Sequence, residues 1–244
     1  MGNLLGAISL IVGGFLALLL LIITFKPPRL SFSVLILGAA AFLIALFLQG
    51  PTQQIPLVLV GVRTLYDIVA RGFLFIVATS LYMGFIAGIF QEVFKYLFIK
   101  KGSPDHGLQV GLGFGLAELI YLATYAFMSL AIFEVSSEGG GFVQYTIPGV
   151  ERFLVLIFHT LTALYMCVYK LRGLLIAILS HGAIDSLAAC MQIYARVIGY
   201  DATFYASMVV LYASILAINL LLIRPSKRAY FSLNVSEKYS NKNL

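Results

Sequence analysis

Polar residues are sparse along this chain, and the apolar stretches between them are long. Seven stretches have lengths that suit a hydrocarbon core about 30 Å thick, which a helix crosses in about 20 residues. They cover residues 4–25, 30–49, 72–99, 107–134, 148–169, 173–195 and 203–223. The pattern predicts an all-α, polytopic membrane helix bundle. An eighth span depends on "IPLVLVGVRTLYDIVARG", residues 55–72. There Arg63, Asp67 and Arg71 recur every four residues, so on a helix they would form one charged ladder. That spacing suits an interfacial or partly buried helix.

Two segments have loop composition: "KKGSPDHG" after the third span, and the acidic, Gly-rich "EVSSEGGGFVQYTIPG", which Pro148 ends. The expected organisation is one transmembrane domain, residues 1–223, and a basic cytoplasmic tail, residues 224–244, disordered or lying on the anionic leaflet. The first span has no basic segment before it and is long for a signal peptide, so a retained span is expected. No internal repeat is evident, which weighs against inverted-repeat transporters.

Composition agrees with the pattern. Of 244 residues, 61% are hydrophobic and 11% charged. Soluble domains carry roughly 25% charged residues. The net charge of +6 would suit nucleic acid, but its distribution argues for topology instead. With the N-terminus outside, cytoplasmic segments hold eleven Lys and Arg (Lys26, Arg29, Lys100, Lys101, Lys170, Arg172, Arg224, Lys227, Arg228, Lys238, Lys242). Outer segments hold four (Arg63, Arg71, Arg152, Arg196), and Lys95 lies within a span. This is the positive-inside distribution, with the C-terminus cytoplasmic. It points to a multi-pass protein of the cell membrane whose surroundings are lipid, with no nucleic-acid partner. Cys167 and Cys190 both fall in spans and imply no disulfide framework.

Ionisable residues within spans are costly and are functional candidates by default. Here they are Glu92 and Lys95 in the third span, Glu118 in the fourth, His159 in the fifth, and His181 and Asp185 in the sixth. Glu92 and Lys95 share a helical face that Gly84 and Gly88 continue, and Gly111 and Gly115 lead to Glu118 in the same way. Small residues at this spacing allow close helix contact. His181 and Asp185 are four apart, so the carboxylate can orient the imidazole of a catalytic or metal-binding histidine. Bland readings stand beside these: Glu92–Lys95 as a neutralising pair, each histidine as a packed hydrogen-bonding residue, and Glu151–Arg152 as a helix-start feature.

In order, "FQEVFKY", "GLGFGLAE", "ERFLVLIFH" and "LLIAILSHGAIDSL" resemble the YhfC family of intramembrane metalloproteases. That family is grouped with the PrsW proteases and the CAAX-processing prenyl endopeptidases. The resemblance covers roughly residues 85–190. It carries over Glu92, Lys95, Glu118, Glu151, Arg152, His159, His181 and Asp185. It implies peptide-bond hydrolysis within the membrane, on membrane-embedded or lipid-anchored peptides. Glu92, Glu118, His159, His181 and Asp185 would be the catalytic set; His159, His181 and Glu118 would be ligands of a zinc ion. Gln91, Lys95, Glu151 and Arg152 would have structural or ion-pairing roles.

Two positions depart from the family pattern: Gln91 replaces the first glutamate of a pair, and Phe114 replaces a histidine. In both, and in His159-Thr160 and Ser180-His181, the chain resembles the anterior-pharynx-defective subunit of γ-secretase. That resemblance implies a catalytically silent scaffold for partner membrane proteins. A small transporter or proton-coupled channel is a third reading, on charge and histidines alone.

Overall fold

In the computed structural model of the protein, the described residues are 2–27, 29–132, 142–199 and 201–240. Every regular element among them is a helix: α1 Gly2–Phe25, α2 Phe32–Leu59, α3 Leu65–Ala70, α4 Phe73–Ile99, α5 Pro104–Ile132, α6 Phe142–Ile198 and α7 Ala202–Ser240. Six of these, all but α3, are long and apolar enough to cross a bilayer. The protein is an integral, multi-pass membrane protein. Helices are the expected solution, because hydrocarbon offers no partner to an unpaired backbone N–H or C=O. Large apolar side chains face outward accordingly, among them Ile23, Phe47, Leu74 and Leu221.

Helix α6 contains the decisive bend. It has 57 residues. At the helical rise per residue, one straight helix of that length would run about 85 Å, far more than a bilayer. Instead Lys170 takes φ 53° and ψ −128°, outside the helical region, and the chain folds back on itself. The two arms match the expected spans 148–169 and 173–195. Their approach is so close at the corner that a Cβ on Gly173 would lie 2.8 Å from the Cα of Met166. Folding back brings His159 and His181, 22 positions apart, to a ring separation of 5.2 Å.

Glycine stripes set the other contacts around this hairpin. A Cβ on Gly84 would sit 2.2 Å from the backbone N of Ser186, and one on Gly88 would sit 2.7 Å from that of Gly182. These glycines let α4 lie directly on the second arm of α6, one turn from Glu92 and His181. On the opposite side, Gly111 of α5 meets the backbone of His159 and Thr160.

Several boundaries differ from expectation. Residues 55–72 contribute no eighth span: α2 runs on through Pro51 and Pro56 to Leu59, and α3 has only six residues. The charged ladder does not form, because Arg63 precedes the helix. Asp67 instead completes a capping box with Thr64, a reciprocal arrangement that satisfies two orphan donors at the helix start. Its carboxylate accepts backbone N–H bonds from Arg63 at 2.8 Å and Thr64 at 2.7 Å. These bonds favour the charged form and hold its pKa below the ordinary aspartate range. Arg71 turns back to the carbonyl of Val60 and covers the Phe75 ring.

The Gly-rich loop reaches beyond the described residues at 133–141. From Phe142 the chain is already helical, so Pro148 lies inside α6 and does not end a loop. The boundary at residue 224 also moves. Helix α7 continues to Ser240, and Tyr230 is buried against Phe25 at 5.4 Å, its hydroxyl donating to Asp105 at 2.9 Å. A disordered tail from residue 224 is therefore not what forms.

Candidate active site

Burying Lys95 is the costliest feature of the bundle, and its surroundings account for it. Its ammonium is wholly enclosed and has three protons to donate. They meet Glu92 Oε1 at 2.7 Å, His159 Nδ1 at 3.1 Å and Thr162 Oγ1 at 3.1 Å. The face of Phe114 lies over the same ammonium, 4.8 Å from Nζ, a cation–π contact in a dry setting. Phe114, at the position where the resemblance expects a histidine, is thus part of the enclosure.

Each bond fixes the next one. Because His159 Nδ1 accepts from the ammonium, its proton resides on Nε2. That nitrogen lies 2.8 Å from Glu118 Oε2 and directs its proton at the carboxylate. Glu118 accepts from Arg152 Nη1 at 2.9 Å through its other oxygen, and Arg152 also pairs with Glu151. On the other side, Glu92 Oε1 takes His181 Nδ1 at 2.6 Å, and His181 Nε2 faces Asp185 Oδ2 at 3.5 Å. All eight charged or imidazole side chains carried over by the resemblance therefore form one chain of contacts. It runs from Asp185 to Glu151 and ties α4, α5 and both arms of α6 together.

A cavity of about 220 Å³ lies along this chain. Gln91, Glu118, Arg152, His159, His181 and Asp185 line its polar side, and α7 closes it with Phe204, Met208, Leu211 and Ile215. Glu92 and Lys95 stand behind the histidines and do not line it. Of the three carboxylates nearest the imidazoles, Asp185 is the most open (32% exposed, against 18% for Glu118 and none for Glu92). Gln91 lines the cavity and donates to Gln49 Oε1 at 3.1 Å, and its own carbonyl oxygen is buried without a hydrogen-bond partner among the described residues.

The donor set for a metal differs from the expected one. Glu92, His159 and His181, not Glu118, have ligand atoms all within 4.8 Å of one another, and this buried group could hold a metal ion. By count, two histidines and a glutamate suit zinc. Yet Lys95 already bonds Glu92 Oε1 and His159 Nδ1, and Glu118 holds the remaining nitrogen of His159. A dication among these donors would stand close to an ammonium in a poorly screened interior, a repulsion on the order of several kcal/mol. With Lys95 in place, the residues fit a lysine-centred network and not a zinc site.

Two participants were not evident from sequence. Thr162 is one helical turn beyond His159, and that spacing is a usable signal. The apolar wall from α7 has none, since its residues resemble any lipid-facing stretch. Arg152, expected at a helix start, is buried and bonded to Glu118. The hydroxyls of Thr160 and Ser180 bond only their own helices, at Leu156 and at Ile176 and Ala177, and take no part in the network. No protein-family model, curated protein or solved structure matches this chain.

Proposed function

We propose that the protein is a YhfC-type intramembrane peptidase of the cell membrane. It crosses the bilayer seven times, the two arms of α6 counted separately, with the N-terminus outside and the C-terminus cytoplasmic. The observation that carries this reading is convergence: Glu118, His159, His181 and Asp185 border one cavity, with Glu92 directly behind His181. Six charged or imidazole side chains from α5 and both arms of α6, Glu118, Glu151, Arg152, His159, His181 and Asp185, line that one space, the clustering expected of a reactive site.

In this reading a water lodges between Asp185 and His181 Nε2, on the cavity wall that Gln91 also lines. The Asp185–His181 pair takes a proton from that water as its oxygen attacks the scissile carbonyl carbon. Arg152, the cation on the cavity wall, stabilises the oxyanion. The pair then returns the proton to the amide nitrogen as the C–N bond breaks. Glu92 is a positioning residue that holds the His181 ring through Nδ1. Lys95 neutralises that carboxylate, and His159, held in turn by Glu118, fixes the ammonium in place. No step is assigned to zinc, because Lys95 occupies its donors. The apolar α7 wall suits a substrate that is itself a membrane-embedded or lipid-anchored peptide. The test is cleavage of a fluorogenic transmembrane peptide by the reconstituted full chain, with loss of cleavage in Asp185→Asn.

A second reading has its own observation. Gln91 faces the cavity where the resemblance expects an acid, and an amide cannot accept a proton from water. On that reading the network only welds the helices, and the protein scaffolds partner membrane proteins. A chain that folds normally, cleaves nothing and loses stability with His181→Gln would favour it.

A further inference from the structure

Where α7 passes the end of its long apolar run, Arg224, Lys227 and Arg228 line a concavity of about 610 Å³ together with Pro225 and Tyr169. We propose that this concavity binds the phosphate headgroup of an anionic phospholipid.

The three cations sit at i, i+3 and i+4 on one helical face, an arrangement that like charges disfavour unless an anion joins them. Among the described residues no carboxylate lines the concavity, and none of the three cations has an ion-pair partner. Charge balance across the bilayer explains why basic residues gather on this side. It does not require three of them to share one hollow, closed from another element by Tyr169. That residue directly precedes the Lys170 corner, so the fold-back of α6 is what builds the far wall.

The surface leading into the hollow selects a lipid over free phosphate. Leu216 and Leu220 precede Arg224 at four-residue steps, and Leu221 precedes Arg228 by seven, so these leucines lie on the side of the helix that carries the cations. All three are exposed to hydrocarbon. An acyl chain laid along this strip places its headgroup at the three cations, with Tyr169 beside it. Basic pockets between helices on the cytoplasmic side are a recurrent headgroup geometry.

Native mass spectrometry of the purified full chain, with phosphatidylglycerol or phosphatidylcholine of identical acyl chains added, tests the site. The expected result is retention of phosphatidylglycerol over phosphatidylcholine on the order of tenfold. This preference should vanish in Arg224→Gln/Lys227→Gln/Arg228→Gln and persist in the control Lys26→Gln/Lys100→Gln/Lys101→Gln, which removes three cations elsewhere. Millimolar inorganic phosphate should not displace the lipid. Equal retention of both lipids, equal loss in the control, or displacement by phosphate alone would each overturn the proposal. So would an undiminished preference in the α7 variant. The peptidase reading has no bearing on any of these outcomes.

Discussion

Glu92 Oε1 receives two donors, Lys95 Nζ at 2.7 Å and His181 Nδ1 at 2.6 Å. One carboxylate oxygen thus couples the neutralisation of a buried ammonium to the orientation of the histidine that faces the cavity. The other oxygen, Oε2, is buried without a hydrogen-bond partner among the described residues.

Removing either half of the Glu92–Lys95 pair leaves an uncompensated charge in the bundle. Glu92→Gln and Lys95→Met should each destabilise the protein by about 3–5 kcal/mol, as for other broken buried pairs. The double variant should recover much of that loss. Thermal unfolding in detergent, arranged as a double-mutant cycle, checks both statements; additive losses would mean that the pair is not coupled.

Metal content discriminates the lysine-centred network from a zinc site. Purified wild-type protein should contain far less than stoichiometric zinc by elemental mass spectrometry, and Lys95→Ala should gain affinity for it. Stoichiometric zinc in the wild type, lost in His159→Ala and His181→Ala, would mean that the ammonium yields its donors to the metal.

Gly88 supports the site through contact between helix backbones. Gly88→Ala would place its Cβ 2.7 Å from the backbone N of Gly182 and push α4 away from the second arm of α6. The expected cost is about 1–3 kcal/mol, typical of overpacking. Activity should fall further than stability, because the Glu92–His181 bond lengthens with the helix separation. Melting temperature and cleavage rate on the same preparation separate the two effects.

Part of this architecture was legible in the residues themselves. Helical spacing placed Glu92 with Lys95 and His181 with Asp185, and the glycine stripes correctly marked the faces that pack. Which helices those faces meet was not legible. Lipid and protein interior are equally apolar, so hydropathy carries no information about lateral neighbours. For that reason the bond from Lys95 to His159, and the replacement of Glu118 by Glu92 among the clustered donors, emerge only from the fold. The end of α7 misled for a related reason: its basic residues resemble a solvated tail, whereas Tyr230 anchors the segment to Phe25 and Asp105.

On the proposed peptidase reading, Gln91 is the residue that limits proton abstraction. Gln91 lines the cavity, and Gln91→Glu would add a proton acceptor to that wall. Cleavage by Gln91→Glu should rise by about tenfold or more, within the usual contribution of a placed general base. An unchanged rate would remove Gln91 from the water site.

In the proposed reaction the Asp185–His181 pair performs proton transfer in the cavity. His181→Gln keeps a side-chain amide able to donate to Glu92 but cannot shuttle a proton, so it separates chemistry from folding. In proteoliposomes containing a fluorogenic transmembrane peptide, the wild-type chain should cleave. His181→Gln should be slower by about a hundredfold or more, with its helical content unchanged. Cleavage by His181→Gln at the wild-type rate, or no cleavage by correctly folded wild-type protein, would contradict the account.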